Sequence, residues 1–346
     1  MSRITYCNPK LYIDGKLIES LIDFSFSEAM NNSLQSFRAK CSEPDLENRD
    51  LFNKKVEFYL NYGSEDGVPL FRGYIREFSA TDTSFSFSAQ DPRVFLTGNN
   101  AMPVSITDKN NFDGYTLTQF LHKYITDNIN INSTKIGLNS LSEIDKPVFM
   151  TGERHDSSEP WGLVTTILGR AINDDNVENP LSYFTDILHG SSTSDIIFRK
   201  KSSLDNKPVT IFKYNDGIIR INYKERAPAS VGLAKTKDGI TSEFIYGNTP
   251  KGRVGKQITG DFETPAEAQR AARNAILLEY ENTKELTITV SKGIYIKLGD
   301  IIKVDVPDYN IEGKVRVTGK NISGSKNSFS CSLQCNTEPL KLSDFI

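Results

Sequence analysis

The sequence has few of the residues that build disulfide frameworks, metal sites or strongly charged faces. Its 346 residues include four cysteines and three histidines, and 41 Lys and Arg residues stand against 44 Asp and Glu residues. The cysteines show no tight pairing pattern, whereas small secreted proteins that depend on disulfides carry cysteines densely. The first residues lack an apolar run of signal-peptide length, and no later run approaches a membrane span. We therefore expect a chain that is made in a cytoplasm and stays reduced there.

The near balance of charge argues against a surface that holds nucleic acid through its phosphates. Proteins of that kind concentrate Lys and Arg on one face or segment. The one local excess is Arg199-Lys200-Lys201, followed by Lys207, and it lies among Ser and Asp residues. A solvated loop explains this run better than a contact with a polyanion.

What the sequence does have is enough apolar material for a core. Hydrophobic residues make up 38%, aromatic residues 10% and charged residues 25% of the chain, which is typical of a folded globular protein. Because domains usually hold about 100 to 150 residues, this length predicts two or three compact units.

The first 90 or so residues show the alternation of β-strands. Asp14-Gly15 is typical of a two-residue hairpin turn, because both residue types tolerate positive φ angles. Period-two patterning places each apolar run on one face of a strand, and short strands between polar stretches predict a small barrel or sandwich. The apolar runs are Ile22, Phe24 and Phe26; Phe37, Ala39 and Cys41; Val56, Phe58, Leu60 and Tyr62; and Phe85, Phe87 and Ala89.

Two helices are predicted in the middle of the chain. Residues 115–130 have apolar residues at helical spacing on one face. A second helix is predicted from Glu159 to about Asn173, with Ser158 as the cap and Pro160 in the first turn. The polar residues 173–180 are predicted to form a loop.

Strand patterns return towards the C-terminus, interrupted by one helix. Residues 209–214 and 218–223 flank Asn215-Asp216-Gly217 and predict a hairpin. Thr264 and Glu267 form a capping box at the start of a helix that runs to about Tyr280. The last 60 or so residues alternate again. These patterns therefore predict a β unit (1–95), an α+β insertion (96–205) and a second β unit (206–346) that includes the helix 264–281.

The cysteine and glycine motifs do not favour a metal or phosphate site. Cys331 and Cys335 fall on one strand face with Leu333 between them, so buried core thiols explain them better than zinc ligands. The segment 247–254 has glycines spaced somewhat like a phosphate-binding loop. Arg253 and Val254 stand where such a loop needs Lys and then Ser or Thr, so a flexible turn is favoured.

The residues that could act as acids or bases form no catalytic pattern. His122, His155 and His189 lie far apart, and His155-Asp156 has no nucleophile motif beside it. Asp174, Asp175 and Glu178 are explained as a solvated surface, although two distant acids can meet in a fold. Trp161, the only tryptophan, is predicted to pack in the core rather than to anchor a partner. We predict no catalytic, cofactor-binding or metal-binding residue and no enzymatic activity.

Several stretches resemble one known family in their order and spacing. Leu51 to Leu60 followed by Pro69 to Ile75, and then Gln90-Asp91-Pro92-Arg93, resemble the first barrel of phage baseplate hub proteins. That family includes the late-control D-like proteins of contractile tails and the hub part of type VI secretion spike proteins.

The resemblance continues through the later motifs. The Pro160-Trp161 helix with Tyr214 to Ile221, the Ala-rich helix at 265–280, and the strands Leu298 to Val304 and Ile311 to Val317 also match. The sequence departs from the family at Leu298, where Pro is common, and at Lys314-Val315, where Tyr is common.

The resemblance implies a fold, an assembly and partners. It implies a mainly β protein with an α+β insertion and two tube-like small β-barrels in one chain, without a cofactor. Three chains would supply six barrels to a pseudo-sixfold ring that joins a sixfold tail tube to a threefold central spike. The implied partners are two further copies of the chain, the tube and spike proteins, and as further candidates the tape measure and other baseplate proteins. The genome would pass through the channel without specific binding.

The resemblance also implies a location in the tail baseplate of the virion, after assembly in the host cytoplasm. Two other hypotheses stay open from the sequence. The chain could be a peripheral tail component built from similar barrels, or a tail enzyme that degrades a polysaccharide.

Overall fold

The computed structural model describes the chain as a mainly β protein with two long helices. The described residues are 8–30, 33–42, 51–60, 68–98, 101, 104–106, 113–129, 136–138, 155–164, 183–200, 210–214, 217–225, 227, 229–245, 255–262, 264–281, 284–290, 293–307, 311–326 and 328–337.

The elements follow one another in three groups along the chain. The first group is β1 (Lys10–Ile13), β2 (Lys16–Ile18), β3 (Leu21–Ala29), β4 (Ser36–Ser42), β5 (Lys55–Tyr59), β6 (Phe71–Ala80), β7 (Ser84–Gln90) and a 3₁₀ turn (Pro92–Leu96). The middle group is β8 (Val104–Ile106), α1 (Leu117–Asn128), β9 (Ile136–Leu138), β10 (His155–Ser158), helical residues 160–164, β11 (Tyr183–His189) and β12 (Ser194–Lys200). The last group is β13 (Thr210–Tyr214), β14 (Gly217–Glu225), β15 (Val231–Thr236), β16 (Thr241–Ile245), β17 (Gly255–Phe262), α2 (Pro265–Glu281), β18 (Lys284–Val290), β19 (Ile301–Val306), β20 (Ile311–Ser325) and β21 (Ser328–Thr337).

The first group forms a curled sheet in the order β3-β4-β7-β6-β5-β1-β2. Phe24 on β3 lies 4.7 Å, between ring centroids, from Phe58 on β5, although three strands separate them along the sheet. The sheet therefore wraps round its own aromatic core as a small barrel. The predicted hairpin is confirmed, since Asp14 and Gly15 have φ of 52° and 81° and Ile13 pairs with Lys16.

The second barrel is closed by six strands in the order β19-β13-β14-β18-β21-β20, with β20 pairing back to β19. Buried Val, Ile, Leu and Cys side chains from these strands fill it. The predicted strands of the last 60 residues are confirmed in β18 to β21. The predicted fold class, mainly β with barrels and an α+β insertion, is thus confirmed.

The predicted hairpin of residues 209–214 and 218–223 is wrong. β13 pairs in parallel with β19 at four positions and meets β14, also in parallel, at only two. β14 instead pairs with β18 in an antiparallel ladder from Ile218 to Glu225. Each strand thus has its longest ladder with a partner elsewhere in the barrel, so barrel closure outweighed the Asn-Asp-Gly turn signal.

One long strand joins the two barrels. The first part of β20, residues 311–316, pairs with β19 of the second barrel, and residues 319–325 pair with β3 of the first. The register of β20 against β21 shifts between Val317 and Gly319, where the strand passes from one barrel to the other. Such an irregularity bends a strand, so β20 turns at the border of the barrels.

The middle group has its own apolar core around α1 and the β11–β12 hairpin. α1 is confirmed, and Thr116 forms a capping box with Gln119. Trp161 is buried in this core as predicted. The helical residues begin at Pro160, and Ser158 belongs to β10, so the predicted cap is wrong by one position. The remainder of that helix and the loop 173–180 lie outside the described residues.

The prediction of a solvated loop around Arg199 needs correction. Arg199 lies in β12 and forms an ion pair with Asp186 at 3.3 Å, rather than standing in a solvated loop. The carboxylate partner comes from the neighbouring strand β11, which the run of charges in the sequence does not indicate. Lys201 and Lys207 lie outside the described residues.

A small module of three strands and one helix is inserted between β14 and β18. Its sheet has the order β16-β15-β17, and α2 packs on one face of it. The helix confirms the prediction for 264–281, whereas the sequence analysis did not predict the three strands. The predicted capping box cannot be described, because the Glu267 side chain lies outside the described residues. The module leaves and rejoins the barrel at adjacent points, since Glu225 pairs with Lys284. Within the described residues neither helix is long and apolar enough to cross a membrane.

Candidate functional site

A buried polar cluster lies where the β11–β12 hairpin meets the first barrel. We call it the junction cluster. Its members are brought together from β3, the residue before β4, β5, β6, the 3₁₀ turn and its cap, the hairpin and β20. They are Glu28, Gln35, Glu57, Arg72, Asp91, Arg93, His189, Ser194 and Lys320.

Arg72 connects the first barrel to the hairpin loop. Its side chain is 1% exposed, and its Nε donates to Glu57 Oε1 at 2.8 Å. The two terminal nitrogens donate to the carbonyl oxygens of Gly190, Ser191 and Thr193. A planar guanidinium with five N–H donors suits this set of acceptors. The loop is therefore held through its backbone by one side chain of β6.

Asp91 and Arg93 form a second connection at the end of the same barrel. Arg93 donates to Asp91 through Nε at 3.0 Å and through Nη2 at 2.7 Å. Asp91 also accepts the backbone N–H groups of Arg93 and Gln35. Arg93 reaches Thr185 Oγ1 on β11 at 3.1 Å. The Asp-Pro-Arg motif thus joins the end of β7 to the residue before β4 and also contacts the hairpin.

His189 and Ser194 are directly opposite each other in the hairpin. His189 Nδ1 lies 2.9 Å from Ser194 Oγ, and its Nε2 lies 3.0 Å from Gln35 Oε1. The Gln35 amide nitrogen donates to Glu28, so its oxygen faces the imidazole. The backbone N–H of Arg72 also lies 3.4 Å from Nε2, so the imidazole is held through both ring nitrogens by β6, the hairpin and Gln35.

The imidazole is held in its neutral form. Burial lowers the pKa of His189 to about 3, and the positive charges of Arg72 and Arg93 act in the same direction. A histidine and serine in contact can serve as base and nucleophile. Here, however, Ser194 is 0% exposed, and a base of such low proton affinity accepts a proton poorly. The described pair therefore joins two strands and the barrel.

The cluster continues into the second barrel. Glu28 accepts from Gln35 Nε2 at 2.9 Å and lies 2.6 Å from Lys320 Nζ. Lys320, on β20, also donates to the carbonyl oxygen of Ile296 at 2.9 Å. Polar contacts thus run without interruption from the hairpin through the first barrel to the second.

A second feature is the outer face of the sheet that spans both barrels. We call it the hydroxyl face: the outward positions of β21, β20, β3, β4 and β7. Neighbouring serines are hydrogen-bonded across strands, as in Ser27 with Ser36 at 2.8 Å. All of its serines are exposed or half-buried. They are Ser25, Ser27, Ser36, Ser42, Ser84, Ser86, Ser88, Ser323, Ser325, Ser328, Ser330 and Ser332.

The three histidines belong to three different elements, α1, β10 and β11. His122 is exposed on α1, His189 belongs to the junction cluster, and the side chain of His155 lies outside the described residues. Asp174, Asp175, Glu178 and the glycines of 247–254 also lie outside them. No cluster of three or more potential metal ligands occurs in the described part of the chain.

The described cysteines are buried core thiols, as predicted. Burial, followed by the charge of Asp23, raises the pKa of Cys41 to about 12. Burial raises the pKa of Cys331 to about 11 and that of Cys335 further. Cys7 lies outside the described residues.

Sequence reasoning missed most of the junction cluster. Gln35 and His189 are 154 residues apart, and Arg72 and Gly190 are 118 apart. Only the Asp91-Pro92-Arg93 motif could be noticed beforehand, through the family resemblance. A cluster assembled from such distant positions has no local pattern.

Solved structures of phage tail proteins have folds similar to that of this chain. No protein-family model matches the chain, and no curated protein sequence matches it. A tail protein from Neisseria meningitidis MC58 is 14% identical, with a TM-score of 0.69, over 98% of this chain and 99% of that one. The 43 kDa tail protein of prophage MuSo2 from Shewanella oneidensis is 12% identical, with a TM-score of 0.70, over 95% and 98%. The chain has the fold of phage tail proteins.

A similar fold occurs in a component of a secretion system. A component of the E. coli type VI secretion system, described as similar to the T4 tail proteins gp27 and gp5, is 13% identical with a TM-score of 0.59. The match covers 96% of this chain and 78% of that one. The resemblance to baseplate hub proteins inferred from the sequence is thus confirmed as a likeness of fold.

Proposed function

We propose that the chain is a structural baseplate hub of a phage tail or a related injection machine. Three copies form a pseudo-sixfold ring of six barrels, which joins the sixfold tail tube on one side to the threefold central spike on the other. The observation that carries the proposal is the match to tail proteins along almost the whole chain. Because function rests on contact surfaces, the proposal includes no catalytic step.

The two barrels of the chain support this assembly physically. A sixfold partner needs six equivalent contact units, and a trimer supplies them when each chain holds two similar barrels. Here the barrels share β20 and a continuous set of polar contacts. Residues 1–95 and 206–346 are the two barrel units of the proposal, and 96–205 is the inserted unit.

The proposal places the protein in the tail baseplate, after assembly in the host cytoplasm. Its partners are two further copies, the tube protein and the spike protein, with the tape measure and other baseplate proteins as additional contacts. The genome passes through the central channel without specific binding.

The mass of the purified protein tests the proposal. Light scattering should give about 116 kDa, three times the 38.8 kDa of one chain, and averaged electron micrographs should show six densities round an open centre. A compact monomer at micromolar concentration would contradict the hub. It would favour the peripheral tail component, and host-cell binding would then be measured.

A further inference from the structure

The two barrels meet at a bend in β20. The strand pairs with the second barrel up to Arg316 and with the first barrel from Gly319, and its register against β21 shifts between Val317 and Gly319. An irregularity of this kind bends a strand and interrupts its ladder. The angle between the barrels is therefore sensitive to what packs against this bend.

Backbone hydrogen bonds bring both barrels to the same few residues of the bend. The N–H of Met30, directly after β3 of the first barrel, donates to the carbonyl oxygen of Thr318 at 2.8 Å. The N–H of Gly299, shortly before β19 of the second barrel, donates to the carbonyl oxygen of Val317 at 2.8 Å. The ends of β3 and of the loop before β19 thus meet at adjacent positions of β20.

The β11–β12 hairpin of the middle group fills the corner between these ends. One face of the hairpin, with Ile196 and Phe198, belongs to the core around α1. The opposite face carries Phe184, which is 0% exposed and packs with Leu298 of the second barrel and Met30 of the first. Since successive side chains of a strand point to opposite faces, one hairpin contacts the middle core and the bend at once.

Directional contacts hold the hairpin and the barrels in this arrangement. Arg72 of the first barrel binds three carbonyl oxygens of the hairpin loop. Lys320 joins the two barrels through Glu28 at 2.6 Å and the carbonyl oxygen of Ile296 at 2.9 Å. Buried polar networks whose members are paired make a structure rigid and specify one arrangement. The barrels therefore cannot turn about the bend without disturbing contacts of the hairpin.

We propose that the β11–β12 hairpin is a brace that fixes the angle between the two barrels and so allows the ring to close. The inference rests on the proposed hub. Six barrels in a ring turn by about 60° from one to the next, and a rotation that misses closure gives an open assembly. An error of about 10° in each chain would grow to about 30° over three chains, so the angle within one chain decides whether the third copy meets the first.

A distance between the two barrels of one chain tests the brace. In a Cys7→Ser background, where the other three cysteines are buried, nitroxide labels are attached at Asp82→Cys, in the exposed turn after β6, and at Lys213→Cys, exposed on β13. Co-production with an excess of chain that lacks the two added cysteines gives trimers that mostly carry one labelled copy. With the brace intact, the labels should show one narrow distance distribution.

Phe184→Ala removes the side chain that fills the corner. The six residues of β20 before the bend span about 20 Å, so a tilt of about 10° moves their far end by roughly 3.5 Å. We expect the distance distribution to broaden by roughly this amount, and the mass from light scattering to change from a trimer to a mixture of smaller and larger species. Phe198→Ala is the matched control, because it removes an equally buried ring from the other face of the same hairpin. It should leave the distance and the mass unchanged.

A second variant approaches the same contact from the second barrel. Leu298→Ala removes the partner of Phe184 and leaves the hairpin sequence intact, so it decides the question if circular dichroism shows that Phe184→Ala does not fold. Unchanged distances in the folded variants, or equal broadening in Phe198→Ala, would overturn the brace and leave the hub standing. A monomeric mass of the chain without these substitutions would overturn the hub, and with it the role of the hairpin in ring closure.

Discussion

Replacement of Arg72 by Met should separate the contribution of the junction cluster from that of the barrels. The substitution keeps much of the aliphatic length of the side chain and removes every guanidinium donor. Glu57 would lose a partner at 2.8 Å, and the carbonyl oxygens of Gly190, Ser191 and Thr193 would lose theirs. The hairpin loop would then be held by the remaining contacts of His189 and Arg93.

The expected cost follows from burial and charge. Removal of one partner from a buried ion pair costs about 3–5 kcal/mol. Glu57 is 15% exposed and keeps Lys55 at 2.9 Å, so we expect the lower end, about 3 kcal/mol. That is a large part of the 5–15 kcal/mol by which proteins are usually stable. Arg72→Lys keeps a cation beside Glu57 but cannot span three carbonyls, and should cost about 1–2 kcal/mol.

Urea unfolding followed by circular dichroism measures these differences, and the chain offers a matched control. Arg76 lies in the same strand, and its guanidinium donates to Asn53 Oδ1 at the surface, so Arg76→Met should cost about 0.5–1 kcal/mol, well below the cost of Arg72→Met. Hydrogen exchange should show that the amides of residues 190–194 lose protection in Arg72→Met and keep it in Arg76→Met.

Two results would refute this reasoning. The first is an Arg72→Met variant as stable as Arg76→Met. The second is a lack of coupling with Glu57: because Glu57→Gln removes the carboxylate left behind, the double variant should be less destabilised than the sum of the single changes. Strict additivity would mean that the contact between Arg72 and Glu57 does not matter for stability.

Three further perturbations test other features. The unfolded chain takes up a proton on His189 near pH 6.5 and the folded chain only near pH 3, so this group makes the protein less stable as pH falls through that window, by up to about 1.4 kcal/mol per pH unit. His189→Gln should flatten the acid side of a urea-stability profile relative to His122→Gln, and equal slopes would contradict a neutral buried imidazole. Gly232→Ala should destabilise the protein by about 1–3 kcal/mol, because a Cβ there would lie 2.6 Å from the carbonyl oxygen of Ala272. Gly255→Ala is the control, since nothing lies within 4 Å of a Cβ at that position. Equal melting temperatures of the two variants would refute the close packing of Gly232 against α2. In a Cys7→Ser background a thiol reagent should react only after unfolding, since the remaining cysteines are buried with raised pKa values; fast reaction of the native protein would contradict their burial.

Strands and helices with strong local patterns could be predicted from the sequence. Phe37, Ala39 and Cys41 alternate because one side of β4 faces the barrel core, and Thr116 and Gln119 mark the start of α1 by their own hydrogen bonds. These features depend on neighbours within a few residues, so the local sequence is enough to predict them.

Features that depend on distant partners could not be predicted. In the strands β15 to β17 the positions closest to α2 are the small residues Gly232 and Ala234, and the large residues Phe244, Ile258 and Phe262 are only partly buried. These strands therefore lack a clear alternation of large buried residues. The partner of β13 was misjudged because β19 lies about 90 residues further along. Arg72 gave no signal, since the carbonyl groups that it binds belong to a hairpin over 100 residues away.

The insertion of the β15–β17 module has a consequence for engineering and for evolution. Since Glu225 and Lys284 are paired neighbours, a tight turn of a few residues could connect β14 to β18 directly and leave the six-stranded barrel complete. The same position would accept a foreign domain whose ends lie close together. This border is therefore a point at which a module could be gained or lost while the strand order of the six-stranded barrel stays the same.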